Sequence, residues 1–152
     1  MEITDRPDGV VVVNDAYNAN PDSMRAALDA VAAMRVPGER WAVLGGMLEL
    51  GADSDAEHAA VGSYAASLGF DHVVAVGAGA RPLAEAFPGS EWVPDTDAAH
   101  DLLATRVRAG AVGLLKSSRD SGLRWLGERL ADEGGEVRQD AVASPSGEAA
   151  AR

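Results

Sequence analysis

Apolar residues fall into short runs, and most of the stretches between runs carry apolar and polar positions at helical spacing. Runs at residues 1–4 and 10–14 flank Pro7-Asp8-Gly9, which predicts a tight turn and a first strand antiparallel to the second. Residues 21–35 place Met24, Ala27, Leu28, Val31 and Met34 on one face before Pro37-Gly38, so a helix is expected there. A buried strand at 40–44 leads into the loop Gly45-Gly46-Met47-Leu48-Glu49-Leu50-Gly51. The next helix is expected to open on a capping box, Ser54 with Glu57, and to carry Val61, Tyr64, Ala65 and Leu68 until Gly69 stops it. A strand at 72–76 ends in Gly77-Ala78-Gly79. A short helix at 81–86, a brief strand at 91–93 and a helix at 95–108 follow. The last strand, 111–115, delivers Lys116-Ser117-Ser118-Arg119 into a final helix bearing Leu123, Leu126 and Leu130.

This alternation is the signature of an α/β fold with a largely parallel sheet. One domain is expected over residues 1–131. Residues 132–152 are rich in Gly, Ser, Ala and acids without any period, and read as a disordered tail.

In such a sheet the turns after the parallel strands emerge at one edge, where ligands bind. That brings Asn14-Asp15-Ala16-Tyr17-Asn18-Ala19-Asn20-Pro21, the Gly45 loop, Gly77-Ala78-Gly79 and Lys116-Ser117-Ser118-Arg119 to one rim. Asn20 before Pro21 is a good helix start. Asp15, Tyr17 and Asn18 are left with no structural duty, and they offer a carboxylate, a stacking ring and an amide.

Composition sharpens the picture at three points. Acidic residues outnumber basic ones 24 to 13, and the formal charge of −11 argues against nucleic acid or an anionic membrane as main partner. There is no cysteine, hence no disulfide and no thiolate metal site. No run reaches the ~18 apolar residues of a membrane span, and no signal peptide is evident, so a soluble, cytoplasmic protein is expected. Of the 13 cationic residues only Lys116 is a lysine, and it falls at the end of the last strand. Lys116 and Arg119 with the hydroxyls of Ser117 and Ser118, at a helix N-terminus, read as an anion site; the competing reading is a Ser118 helix cap with solvated cations.

Other constellations are weaker. Gly77-Ala78-Gly79 lacks the full dinucleotide spacing and reads as a strand-end turn. His58 sits near the edge of an apolar helix face and reads as a packed or helix-surface histidine. His72 and His100 have no partner at ligand spacing, so no metal site is expected. No G-x-x-x-x-G-K-[ST] occurs, so the chain has no P-loop of its own for a nucleoside triphosphate. A receiver-like phosphoacceptor domain would need an acid after a central strand, where Gly45-Gly46 and Gly77 stand.

Three motifs together resemble the C-terminal domain of the Mur ligases: Asp15-Ala16-Tyr17-Asn18-Ala19-Asn20-Pro21-Asp22-Ser23-Met24, Leu44-Gly45-Gly46-Met47-Leu48-Glu49-Leu50-Gly51 with Ser54 and His58-Ala59-Ala60-Val61-Gly62, and Leu115-Lys116-Ser117-Ser118-Arg119. The resemblance covers about residues 1–131 and is nearest to the branch that adds D-alanyl-D-alanine to UDP-N-acetylmuramoyl-tripeptide in peptidoglycan synthesis. It implies a Rossmann-like three-layer α/β/α domain with a mixed six-stranded sheet. It also implies a cytoplasmic, monomeric full-length enzyme whose N-terminal domain holds the UDP-sugar peptide and whose central domain holds ATP and Mg2+. Such enzymes form an acyl phosphate that the incoming amine attacks, while the C-terminal domain closes over the central one; this chain alone is expected to be inactive. Carried over, Asp15, Tyr17 and Asn18 belong to the nucleotide side and Lys116, Ser117, Ser118 and Arg119 to the D-alanyl-D-alanine side, with Asn20 and His58 as further candidates and no metal ligand. The family pattern has an acid where this chain has Gly46. The other expectations weighed are a non-catalytic module binding a small ligand at the same rim, and the same domain of another Mur ligase.

Overall fold

The computed structural model describes residues 1–118 and 121–133. Six strands alternate with five helices: β1 (Glu2–Asp5), β2 (Val11–Asp15), α1 (Pro21–Ala32), β3 (Arg40–Leu44), α2 (Ser54–Ser67), β4 (His72–Val76), α3 (Arg81–Glu85), β5 (Glu91–Val93), α4 (Thr96–Arg106), β6 (Val112–Lys116) and α5 (Leu123–Asp132). They form one sheet in the order β1-β2-β6-β3-β4-β5, with β1 antiparallel to β2 and every other pairing parallel. This is the mixed six-stranded sheet expected from the sequence. The remainder of the expected tail, residues 134–152, lies outside the described residues.

Two apolar clusters divide at the sheet. Val11, Val13, Ala42 and Leu114 pack with Met24, Leu28 and Val31 of α1, Val61 and Ala65 of α2, and Leu83 of α3. On the other face Val12, Trp41, Val43 and Leu115 pack with Ala99 and Leu103 of α4 and Leu123, Leu126 and Leu130 of α5. Strand residues point to alternate faces, so a sheet covered on both sides needs strands with near-continuous apolar runs, as β2, β3, β4 and β6 have. Under α4 and α5 an apolar cavity of about 230 Å³ remains, bordered by Trp41, Val43, Leu103 and Gly113.

Beyond shifts of a residue or two elsewhere, three element ends differ from expectation in ways that bear on packing or on the site. Helix α1 stops at Ala32 instead of continuing to Arg35, because the chain tightens there and Arg40 from β3 takes the Val31 and Met34 carbonyls. The capping box at Ser54 does not form. A 3-10 turn, Gly51–Asp53, runs straight into α2, Asp53 is the cap residue without a side-chain bond, and Ser54 already lies inside the helix. Finally, α5 begins at Leu123 after Gly122, so Lys116, Ser117 and Ser118 precede the helix and do not form its N-terminus.

Candidate functional site

Strand β6 is central in the site as well as in the sheet. Its last residue, Lys116, lies beside Asp15 on one side and Leu44 on the other. The turn after β2 leaves toward the α1 face and the segment after β6 toward the α5 face, so the carboxyl edge opens where neighbouring connections part, the usual ligand crevice of such sheets.

The structure brings Asp15 and Lys116 together as an ion pair. The Lys116 ammonium donates to Asp15 Oδ2 at 2.8 Å and to the Asn18 carbonyl at 3.0 Å, and its side chain is 4% exposed. All of this is internal, so the lysine ties the turn after β2 to the centre of the sheet and is not a free cation beside a helix. Ser117 and Ser118 are likewise engaged. Ser117 Oγ meets Ser121 Oγ and donates to the Ser118 carbonyl, and Ser118 Oγ accepts the Leu48 amide at 3.1 Å. Neither serine caps α5. Arg119 lies outside the described residues.

The loop after β3 is stitched to this segment. Gly45 N–H donates to the Lys116 carbonyl at 3.0 Å, and Ser118 N–H donates to the Gly46 carbonyl at 3.1 Å. The two backbones approach so closely that a Cβ on Gly45 would stand 2.6 Å from Ser117 Cβ. His58 is buried and accepts the Met47 amide at 2.8 Å. Beyond these anchors Leu48 and Glu49 project into solvent, and Glu49 has φ +63°. A Cβ on Gly46, where the family pattern has an acid, would meet only His58 Nε2, at 3.8 Å.

In the turn after β2, Asn20 is consumed by structure. Its side chain accepts the Ser23 amide at 2.8 Å while Ser23 Oγ accepts the Asn20 amide at 3.0 Å, a reciprocal cap on α1. Tyr17 is half-buried and Asn18 is exposed. Burial, with Glu2 beside it, pushes the Tyr17 phenol above its ordinary value. Arg124 lies 4.8 Å from the Tyr17 ring centroid and 5.0 Å from that of Trp125. This Tyr17–Arg124–Trp125 stack was not legible in the sequence, because it joins residues more than a hundred positions apart; only the unpaired apolarity of Trp125 on a helix surface hinted at it.

Between the loops after β3, β4, β5 and β6 lies a cavity of about 380 Å³, with walls at Met47, Leu48, Gly77, Asp95, Thr96 and Ser118. Gly77-Ala78-Gly79 serves as a strand-end turn, its Gly77 carbonyl accepting Trp92 Nε1–H at 2.7 Å. Among the described residues no group of three or more His, Asp or Glu could hold a metal ion.

An open α/β sheet of this strand order, with a clamped switch point and a rim cavity, places the chain in the Rossmann-like α/β class. Residues 1–119 match the family described as Mur ligase, glutamate ligase domain, and the chain belongs to that family. It is 41% identical over 164 residues to the UDP-N-acetylmuramoyl-tripeptide–D-alanyl-D-alanine ligase of Mycobacterium tuberculosis (strain CDC 1551 / Oshkosh), covering 91% of this chain and 32% of the relative. The Escherichia coli (strain K12) protein of the same name is 35% identical over 126 residues, with 82% and 27% covered. The crystal structure of MurF ligase from Thermotoga maritima in complex with ADP matches with a TM-score of 0.74 at 29% identity, over 86% of this chain and 30% of that one. A MurF structure from Acinetobacter baumannii matches equally, at 0.74 and 29%. The chain thus spans about a third of the length of these relatives.

Proposed function

We propose that this chain is the C-terminal domain of an ATP-dependent ligase that joins D-alanyl-D-alanine to UDP-N-acetylmuramoyl-tripeptide. The observation that carries the reading is the identity of about 41% across nine-tenths of the chain to ligases bearing that name. ATP, with Mg2+, would supply the phosphoryl group that activates the tripeptide carboxylate. On this reading Mg2+ is held by the central domain, together with the P-loop that this sequence lacks. Tyr17 and Asn18 fit a nucleotide: a half-buried ring and an exposed amide stand on a turn that the Asp15–Lys116 pair keeps fixed.

The rim also suits docking against another domain. The exposed large apolar side chains among the described residues are Met1, Leu48 (58%) and Trp125 (64%). Met1 precedes β1, whose Glu2 pairs with Asn14, Leu48 tips the loop after β3, and Trp125 shares the Arg124 stack with Tyr17, so all three lie at the carboxyl edge. Exposed apolar side chains along the rim that also carries Tyr17 and Asn18 suit a surface that another domain covers. Closure of a partner domain there would exclude water and align the amine.

The test is phosphate release by the full-length ligase carrying this domain, given the UDP-linked tripeptide, ATP and one amine at a time. Turnover is expected with D-alanyl-D-alanine and not with D-glutamate or diaminopimelate, and none is expected from the 152-residue chain alone. Preference for another amine, or robust turnover by the chain alone, would refute the reading.

A further inference from the structure

His58, on the second turn of α2, is 1% exposed, and nothing in the reading above employs it. Both of its ring nitrogens are committed. The Met47 amide donates to Nε2 at 2.8 Å, which requires a lone pair there, and Nδ1 stands 2.7 Å from the Ser54 carbonyl oxygen, which requires a proton there. The geometry selects the Nδ1–H tautomer, and it leaves the ring no free nitrogen with which to hold a ligand or move a proton.

The bond to Met47 is one of several that fix residues 45–48. Gly45 N–H is held by the Lys116 carbonyl, the Gly46 carbonyl by Ser118 N–H, and Leu48 N–H by Ser118 Oγ. Without His58, the Met47 amide would be a donor with no acceptor in a buried position. Directly beyond, Glu49 keeps a left-handed backbone, which a non-glycine residue sustains only where its surroundings over-determine it. The loop is therefore a rigid arm, and Gly46, Met47 and Leu48 form one wall of the 380 Å³ rim cavity. The described lining of that cavity offers the Asp95 carboxylate, the Ser54, Thr96, Ser118 and Ser121 hydroxyls and an edge of the His58 ring itself, with no lysine or arginine among the described residues. Such a lining complements an ammonium and repels a polyphosphate.

We propose that His58 is a positioning residue for the incoming amine substrate, acting through Met47 to set the cavity wall. The inference rests on the ligase reading above. A histidine that merely fills the core would give the same burial, so the test separates the two roles. In the 15N-labelled wild-type chain, a scalar coupling across the Met47 N–H···Nε2 bond is expected, with Nε2 unprotonated; a protonated Nε2 without coupling would overturn the assignment, and this measurement needs no variant to fold. In the full-length ligase, His58→Gln reaches as far as Nε2 and can accept from Met47, whereas His58→Asn reaches only as far as Nδ1 and leaves that amide unpaired. With thermal stabilities measured alongside, His58→Asn is expected to raise KM for the amine about tenfold and KM for ATP less than about twofold, and His58→Gln to recover most of the loss. Kinetically indistinguishable variants, or an ATP KM that rises as much as the amine KM, would defeat this inference alone. A wild-type ligase with no amine-dependent turnover would defeat the ligase reading and the inference with it.

Discussion

The Asp15–Lys116 pair is asymmetric, and the asymmetry sets what each substitution costs. The lysine side chain is 4% exposed and the aspartate 21%. Removing the carboxylate strands a buried ammonium with only backbone carbonyls, whereas removing the ammonium leaves a carboxylate that water can reach. Asp15→Ala is therefore expected to cost about 3 kcal/mol and Lys116→Met about 1 kcal/mol in urea unfolding of this chain; equal losses would show Asp15 to be as hard to hydrate as Lys116. A merely functional role for either residue, with the fold untouched, is not what this geometry implies. The sequence singled out both residues, one as an acid without a duty and the other as the sole lysine. It could not pair them, since the pairing depends on the parallel register of strands 101 positions apart, and no local pattern encodes register. The Asn20 cap, by contrast, was legible, because every atom of it lies within four residues.

At the level of elements, two glycines show that the same substitution can act in opposite directions. Gly62 lies within α2, where alanine would ordinarily gain about 1 kcal/mol of helix propensity. A Cβ there would stand 2.2 Å from the Leu83 carbonyl oxygen, backbone that cannot turn aside, so α2 and α3 touch through this glycine. Gly113, in the middle of β6, would place a Cβ in open space beside the cavity under α4 and α5. Thermal denaturation is expected to show Gly62→Ala destabilised by roughly 2 kcal/mol and Gly113→Ala stabilised by about 0.5–1 kcal/mol; shifts of the same sign would mean that contact distance does not decide the outcome. Element types and order were readable because apolar spacing reports which face is buried. Element ends were readable only where they finish locally. Helix α1 is stopped with help from Arg40 on the next strand, and α2 is entered through a 3-10 turn, neither of which leaves a mark in the helix's own sequence.

For the molecule as a whole, the rim carries more than its polar motifs. The sequence located the carboxyl edge through strand-end turns, and it could not show that Leu48 and Trp125 gather there, because exposure is decided by what the finished fold leaves uncovered. The sheet order has a further consequence, in time and not in space. The strand at the centre of the sheet, between β2 and β3, is the last of the described strands in chain order. Until it emerges, β2 and β3 each present an unpaired edge, and the contacts that close the sheet join residues up to about a hundred positions apart; closure of the sheet is therefore deferred until β6 has been made and slowed by long loop closure. A chain stopped at residue 110 is expected to lack dispersed amide resonances and to self-associate, and a dispersed, monomeric spectrum would show that the sheet closes without its centre. The nascent domain thus passes through an interval in which its two most adhesive edges are exposed together, and the strand that ends that interval is the one that brings Lys116 to Asp15.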